Sequence, residues 1–108
     1  MYKVVFHVDE MSKWGLTMNN VRNFTNESSE SELVIVANAE AVQYLDESLY
    51  DISMLKALID DGVKVYGCST AIEKLGVNRS NILEGVKLAS GVVTLAKKQA
   101  EGYAYIRP

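Results

Sequence analysis

The sequence of 108 residues has few residues that constrain or cross-link a chain: one cysteine, Cys68, and one proline, Pro108. A single cysteine excludes an internal disulfide and a cysteine-rich zinc site. The terminal proline interrupts no helix or strand. No hydrophobic run approaches membrane-spanning length, and the first residues form a short apolar segment rather than a secretory signal. These absences predict a cytoplasmic protein, because a free thiol suits a reducing compartment.

Basic residues are fewer than acidic ones and are not clustered. The chain has 11 basic and 14 acidic residues, a net charge of −3, and its longest basic run is Lys97-Lys98. Nucleic-acid binding is disfavoured, since neutralising phosphates requires clustered lysine and arginine. The hydrophobic share of 48% is enough for a core without metal or disulfide staples. The length predicts one domain over residues 1–108.

Five short apolar runs predict the strands of a sheet. Val and Ile make the first three almost continuously apolar, which is typical of parallel strands buried on both faces. With helical stretches between the runs, the pattern predicts an α/β fold. We expect a single-domain, three-layer, doubly wound fold, flavodoxin-like or Rossmann-like, with a mostly parallel five-stranded sheet and helices on both faces. The runs are 2–8, 33–37, 63–68, 86–88 and 103–106.

The helices are predicted from apolar spacing and from residues that start or stop a helix. A first helix from about Asp9 or Ser12 to Phe24 carries the stripe Met11, Trp14, Met18 and Val21, interpreted as core or subunit contact. A polar loop over 26–32, a helical turn over 40–45 and a helix over 52–60 ended by Asp61-Gly62 follow. Thr70 with Glu73 fits a capping box and Gly76 a left-handed stop. Ser90 can cap a last helix to about Glu101, stopped by Gly102, that would bury Val92, Val93, Leu95, Ala96 and Ala100.

Cys68 is predicted to lie on the turn between the third strand and the next helix. Unpaired backbone N–H groups and the positive end of a helix dipole favour the thiolate there, which is the reactive form of cysteine. A small buried hydrophobe is an equally consistent interpretation of its position.

Ligands of open α/β sheets bind beyond the carboxyl ends of the strands, where the strand order reverses. The polar side chains at those ends are the candidates. The alternatives are a helix cap for Asp9, a turn for Asn38 and a satisfied core or interface histidine for His7, and each is the favoured interpretation. The candidates are His7, Asp9, Glu10, Asn38, Glu40, Cys68, Ser69, Thr70 and Ser90.

Several familiar sites are excluded. The chain has no glycine-rich dinucleotide motif, P-loop or Cys-x-x-Cys pair. A cysteine phosphatase loop would need arginine where Lys74 stands, and a phospho-receiver domain would need aspartate at Cys68. What a lone cysteine can do is accept a sulfur atom as a persulfide and pass it to another thiol, without metal, cofactor or second cysteine.

The chain resembles the DsrE/DsrF-like family of small α/β sulfur-relay proteins. The resemblance lies in Val4–Glu10, Val36–Asn38 and Gly102–Pro108, and in the pattern Cys68, two residues, Ala71, four residues, Gly76. It implies a persulfide on Cys68 and an assembly of three or six subunits. The segment Asp9–Trp14 departs from the glycine-containing segment of the best-understood members.

Three hypotheses follow. In the first, Cys68 is the catalytic residue of a sulfur carrier, Ser69 and Thr70 N–H groups stabilise the thiolate, and Asn38 and Asp9 complete the ligand-binding set. Its partners would be a sulfur donor and acceptor. In the second, the protein is a non-catalytic homo-oligomeric binding or adaptor module that uses the same pocket or the Trp14 and Tyr105 surfaces. In the third, Cys68 is a redox sensor. The aromatic alternation of Tyr103–Ile106 favours a strand covered by another subunit.

Overall fold

The computed structural model describes residues 1–28 and 30–108, which form one α/β domain around a sheet of five parallel strands. The order across the sheet is β4-β3-β2-β1-β5. Every neighbouring pair is parallel, as the continuous Val and Ile runs predicted. The strands are β1 (Tyr2–Val8), β2 (Ser31–Ala37), β3 (Lys64–Cys68), β4 (Val86–Ala89) and β5 (Ala104–Ile106).

Four α-helices and three short 3₁₀ helices connect the strands. None of the helices in the described part of the chain combines the length and the apolarity that a membrane crossing needs. The α-helices are α1 (Trp14–Glu27), α2 (Ser53–Asp60), α3 (Ser69–Lys74) and α4 (Gly91–Ala100), and the 3₁₀ helices are Met11–Lys13, Ala39–Leu45 and Arg79–Asn81.

The two faces of the sheet are covered unequally. The helices that follow β1, β2 and β3 pack on one face and form the larger core. On the other face lies α4 alone, which contacts β1, β2 and β3. The smaller core there consists of Val5, Val34, Val36, Leu95 and Tyr103. Helices on both faces, as predicted, are therefore confirmed, but only one helix shields the second face.

The predicted packing of α4 was wrong in part. Leu95 is buried, whereas Val92 and Val93 are 66% and 61% exposed, and Ala96 and Ala100 are also exposed. Gly91 and Thr94 are the other buried positions of α4. Helical spacing can identify an apolar stripe but not which of its members a sheet covers.

Two predicted helix caps were wrong, although both helices begin close to the predicted positions. Cys68 precedes α3 and the helix begins at Ser69, so Thr70 lies in the first turn and caps nothing. The residue before the Met11–Lys13 helix is Glu10 rather than Asp9, and the Met11 amide donates to Glu40 Oε1 at 3.1 Å. The glycine stops were confirmed, with φ of 68° at Gly76 and 94° at Gly102. In the predicted 26–32 loop, α1 continues to Glu27 and β2 begins at Ser31, while Ser29 lies outside the described residues.

The Trp14 stripe is core, one of the two interpretations predicted for it. Trp14 is only 2% exposed, and its Nε1–H donates to the Ala41 carbonyl at 2.8 Å. Tyr44 packs on the indole with ring centroids 4.9 Å apart. Trp14 is therefore not a surface for a partner, and the adaptor hypothesis loses that part of its support.

Tyr103 closes the smaller core where α4 leads to β5. Its hydroxyl donates to Glu32 Oε2 at 2.9 Å, and Lys98 Nζ lies 5.0 Å from the ring centroid. Burial, and then the bond to Glu32, raise the pKa of Tyr103 to about 12, since both disfavour the phenolate.

Gly67 of β3 offers a test of the larger core. A Cβ built there would lie 2.7 Å from Leu45 Cδ1, and Leu45 is fully buried. We expect Gly67→Ala to lower the free energy of unfolding by about 1–3 kcal/mol, the usual range for overpacking. The control is Gly15→Ala in α1, where a Cβ meets open space. This control should raise stability by up to about 1 kcal/mol. Urea denaturation measures both, and equal effects would contradict the packing at Gly67.

Candidate functional site

Cys68 ends β3 at the point where the direction of winding changes. It lies beside Ala89, the last residue of the neighbouring strand β4. The chain leaves β3 into α3 on the first face, but leaves β4 into α4 on the second. A crevice opens at such a switch point, which is the usual ligand position in open α/β sheets. The fold thus places the only thiol at the expected binding edge.

The first residue of α4 packs directly against the thiol. A Cβ built at Gly91 would lie 3.1 Å from Cys68 Cβ and 3.4 Å from Cys68 Sγ. The same Cβ would lie 3.0 Å from Asn38 Cβ. A side chain here would make unusually tight contacts, so Asn38 or Cys68 would have to move by a few tenths of an ångström to admit it. Cys68 and Asn38, which are 30 positions apart in the sequence, therefore meet around Gly91.

Two helices begin close to Cys68. It directly precedes α3, and α4 starts at Gly91 with its end capped by Ser90, whose Oγ accepts from the Val93 amide at 3.5 Å. The first amides of a helix have no partner within it and carry the positive end of the dipole. Cys68 is half-buried, and its side chain makes no cap hydrogen bond to the first amides of α3.

The other predicted residues are distributed around this centre. Ser69 and Thr70 form the first turn of α3, with Ser69 half-buried and Thr70 exposed. Asp9 instead forms an ion pair with Arg107, at 3.0 Å between Oδ2 and the guanidinium. Its carboxylate therefore holds the segment that follows β5.

His7 links to the site through Asn38. Its Nε2 lies 2.8 Å from Asn38 Oδ1, and its Nδ1 lies 2.5 Å from the Tyr105 hydroxyl. Both ring nitrogens are bonded, so His7 is a satisfied histidine as the favoured interpretation predicted, and one of its partners is the strand-end residue Asn38. Asn38 uses its side chain for this bond and makes no side-chain cap for the helix after it, so the favoured turn interpretation was wrong.

Sequence reasoning gave three members of this arrangement too little weight: His7, Gly91 and Tyr105. Two had a usable signal. Glycine at the first position of a helix is unfavourable on propensity and indicates a close approach. The single histidine lies in an apolar strand, and a buried polar group requires hydrogen-bond partners. Nothing local to Tyr105 indicated His7, because the two are 98 positions apart.

The described residues form several open concavities at the surface of the single chain. Five of them have volumes between about 230 and 460 Å³, and Cys68 lines none of these five. Within the described residues no group of three or more His, Cys, Asp or Glu side chains could hold a metal ion. Cys68 is thus a half-buried thiol at a strand end, beside the starts of α3 and α4.

The family model described as the DsrE/DsrF-like family matches residues 2–108. The chain belongs to that family. Among curated proteins there was no match. The family resemblance that the cysteine segment and both ends of the chain predicted is thus confirmed over residues 2–108. The role of Cys68 is a separate question.

Solved structures support the same fold for this DsrE/DsrF-like protein. MTH1491 from Methanobacterium thermoautotrophicum, a protein of unknown function, is 33% identical with a TM-score of 0.93 and full coverage of both chains. The ychN protein from E. coli is 18% identical with a TM-score of 0.86, again over both full chains. BT1422 from Bacteroides thetaiotaomicron, a conserved protein of unknown function, is 14% identical with a TM-score of 0.80, covering 98% of this chain and 94% of its own.

The contact at Gly91 can be tested by adding one methyl group. We expect Gly91→Ala to slow alkylation of Cys68 by iodoacetamide, because the new Cβ would lie beside Sγ and shift the start of α4. Intact-mass spectrometry over time measures the rate. Gly15→Ala, which meets open space in α1, should react like the wild type. Equal rates for all three proteins would show that Gly91 does not limit access to the sulfur.

Proposed function

We propose that this protein is a persulfide carrier in which Cys68 accepts a sulfur atom and passes it to another thiol. The observation that carries the proposal is the position of the only thiol: it lies at the switch point of the sheet and is packed against the first residue of α4. Membership of the DsrE/DsrF-like family supports the same chemistry. A free thiol of this kind fits a reducing compartment such as the cytoplasm.

The transfer consists of two thiol exchanges. In the first, the Cys68 thiolate attacks the terminal sulfur of a donor persulfide, a new S–S bond forms at Cys68, and the donor leaves as a thiolate. In the second, an acceptor thiolate attacks the terminal sulfur on Cys68, the S–S bond breaks, and the Cys68 thiolate is restored. Neither step needs an oxidant or reductant, because the transferred sulfur keeps its oxidation state. Both steps need a thiolate as nucleophile and a thiolate as leaving group.

The residues around Cys68 suit these two requirements. Cys68 directly precedes the Ser69 and Thr70 amides at the start of α3, which are available as donors to charge on the sulfur during attack and release, although the thiol makes no cap hydrogen bond to them at rest. Asn38 lines the mouth of the site beside Gly91. Asp9 contributes indirectly, by holding Arg107 and the end of the chain in place.

Mass spectrometry of the intact protein tests the proposal, because Cys68 is the only cysteine. On incubation with a low-molecular-weight persulfide, the wild-type protein should gain one sulfur atom, and dithiothreitol should remove it. Cys68→Ser should gain nothing, since serine cannot hold sulfane sulfur. A wild-type thiol that stays unmodified under native conditions would refute the carrier function and favour the binding-module alternative. Reversible oxidation by peroxide without sulfur uptake would favour the sensor.

The binding-module alternative and the carrier share one expectation, a homo-oligomer of three or six copies. The supporting observation is the exposed pair Val92 and Val93, on the helix that alone covers the second face of the sheet. Tyr105 lies on the same face and is 42% exposed. Burying one valine contributes about 1.5–3 kcal/mol. We therefore propose that a second copy of the chain covers this part of α4.

Replacing one of these valines by a charge tests the assembly. We expect Val93→Lys to lower the molar mass measured by light scattering to that of the monomer, because a buried lysine would lack a partner. The control is Leu16→Lys on α1, where an apolar side chain of comparable exposure, 46%, lies on the opposite side of the sheet. The proposal fails if Val93→Lys keeps the wild-type mass, or if the wild type is a monomer.

A further inference from the structure

We propose that His7 is a positioning residue for the reaction at Cys68, acting through the carboxamide of Asn38. This inference rests on the proposed persulfide chemistry and assigns a role to a hydrogen-bonded chain that leads from the edge strand to Asn38, the residue packed beside the thiol at Gly91. The chain of contacts is Tyr105, His7 and Asn38, and Asn38 meets Cys68 at Gly91.

The backbone brings these side chains together from three strands. His7 lies in β1 opposite Val36 of β2, one residue before β2 ends, and Asn38 follows that end. Tyr105 lies in β5 on the other side of β1, opposite Val5. Side chains at Val5, His7 and Tyr105 thus share the face on which α4 packs, since alternate residues of a strand point the same way. His7 is the middle member because β1 is the middle strand of the three.

The direction of the hydrogen bonds follows from what each group can donate. The carboxamide oxygen of Asn38 accepts only, so His7 donates to it from Nε2–H. In the neutral imidazole the other nitrogen, Nδ1, must then accept, and the Tyr105 hydroxyl donates to it. Tyr105 therefore favours the one neutral tautomer of His7 that can hold the oxygen of Asn38.

Holding the oxygen of Asn38 decides which end of its amide remains available. With Oδ1 bonded to His7, the Nδ2–H₂ group is left as a pair of donors, and it makes no hydrogen bond with the described residues. Asn38 Cβ and Cys68 Sγ both lie within contact distance of the same point at Gly91. The carboxamide therefore belongs to a side chain that packs beside Cys68 at Gly91, and its N–H groups make no hydrogen bond to Sγ in the resting protein. A flipped amide would offer an acceptor oxygen instead of donors to a sulfur that becomes negatively charged, which is unfavourable.

This orientation gives the amide a use in both halves of the transfer. Its N–H groups can donate to the Cys68 thiolate before it attacks and to the terminal sulfur of the persulfide that forms. Without His7 the amide would be free to rotate, and the donor end would face the sulfur for only part of the time. The expected loss is that of one hydrogen bond, about three- to tenfold in rate.

A matched pair of substitutions at His7 separates this role from simple packing. His7→Gln keeps an N–H close to the position of Nε2 and should retain the bond to Asn38. His7→Asn has a shorter side chain, whose amide reaches only as far as Nδ1, so it should lose that bond. At neutral pH we expect His7→Gln to react at the wild-type rate. We expect His7→Asn to be about three- to tenfold slower, and Asn38→Ala to match it. Combining His7→Asn with Asn38→Ala should slow the reaction no further, because both remove the same donor.

Two rates are measured on the full chain: alkylation of Cys68 by iodoacetamide and sulfur uptake from a low-molecular-weight persulfide. If sulfur uptake is absent in every protein but alkylation follows the expected order, the carrier function fails and the positioning role of His7 stands. If the wild type takes up sulfur and His7→Asn matches it in both rates, the positioning role is refuted and the carrier function stands. Equal slowing by His7→Gln and His7→Asn also refutes it, because a packing defect alone would explain that result.

A spectroscopic readout keeps the inference testable if His7→Asn does not fold. The ¹⁵N signals of the single histidine should show the tautomer protonated at Nε2. In Tyr105→Phe, which removes one exposed hydroxyl, the share of the other tautomer should rise and alkylation should slow. An unchanged tautomer together with an unchanged rate in Tyr105→Phe would overturn the proposal.

Discussion

The return of α4 across the second face of the sheet is the constraint on which the rest of the structure depends. β4 is an edge strand, and the strand that follows it in sequence, β5, pairs with β1 near the opposite edge. The connecting helix must therefore cross β3, β2 and β1, and its first residue must start close to the end of β3. This start presses Gly91 against Cys68 and Asn38. The same crossing creates the switch point, so the packing of the smaller core and the geometry of the thiol have one cause.

The elements that sequence predicted well are those fixed by local chemistry. All five strands were found, the first three because unbroken Val and Ile runs have few alternatives to a buried parallel strand. Gly76 and Gly102 marked helix ends, because a left-handed residue is almost always glycine. The predicted burial of Val92 and Val93 was wrong for a physical reason. A single helix on a broad sheet buries only one of its own sides, and the sequence does not specify which apolar residues lie on that side.

The site was predicted in its centre but not in its connections. Cys68 and Asn38 were both identified from their places at strand ends, and the fold brings them together around Gly91. His7 was set aside because it lies within an apolar strand. Its link to Asn38 depends on the register of β1 against β2, and its link to Tyr105 on the pairing of β1 with β5. Registers are tertiary facts, and no local pattern encodes them.

The pairing of β1 with β5 has a consequence for the order of folding. It joins Val4 to Ala104, about a hundred positions away, while the other strand pairs connect segments closer in sequence. Contacts between distant segments form slowly, because the entropy of closing the intervening loop must be overcome first. The first face can assemble from consecutive β-α units, whereas α4 and β5 can dock only on a sheet that exists already. Since α4 supplies Gly91, we expect the environment of the thiol to be completed only after the larger core of the first face has formed.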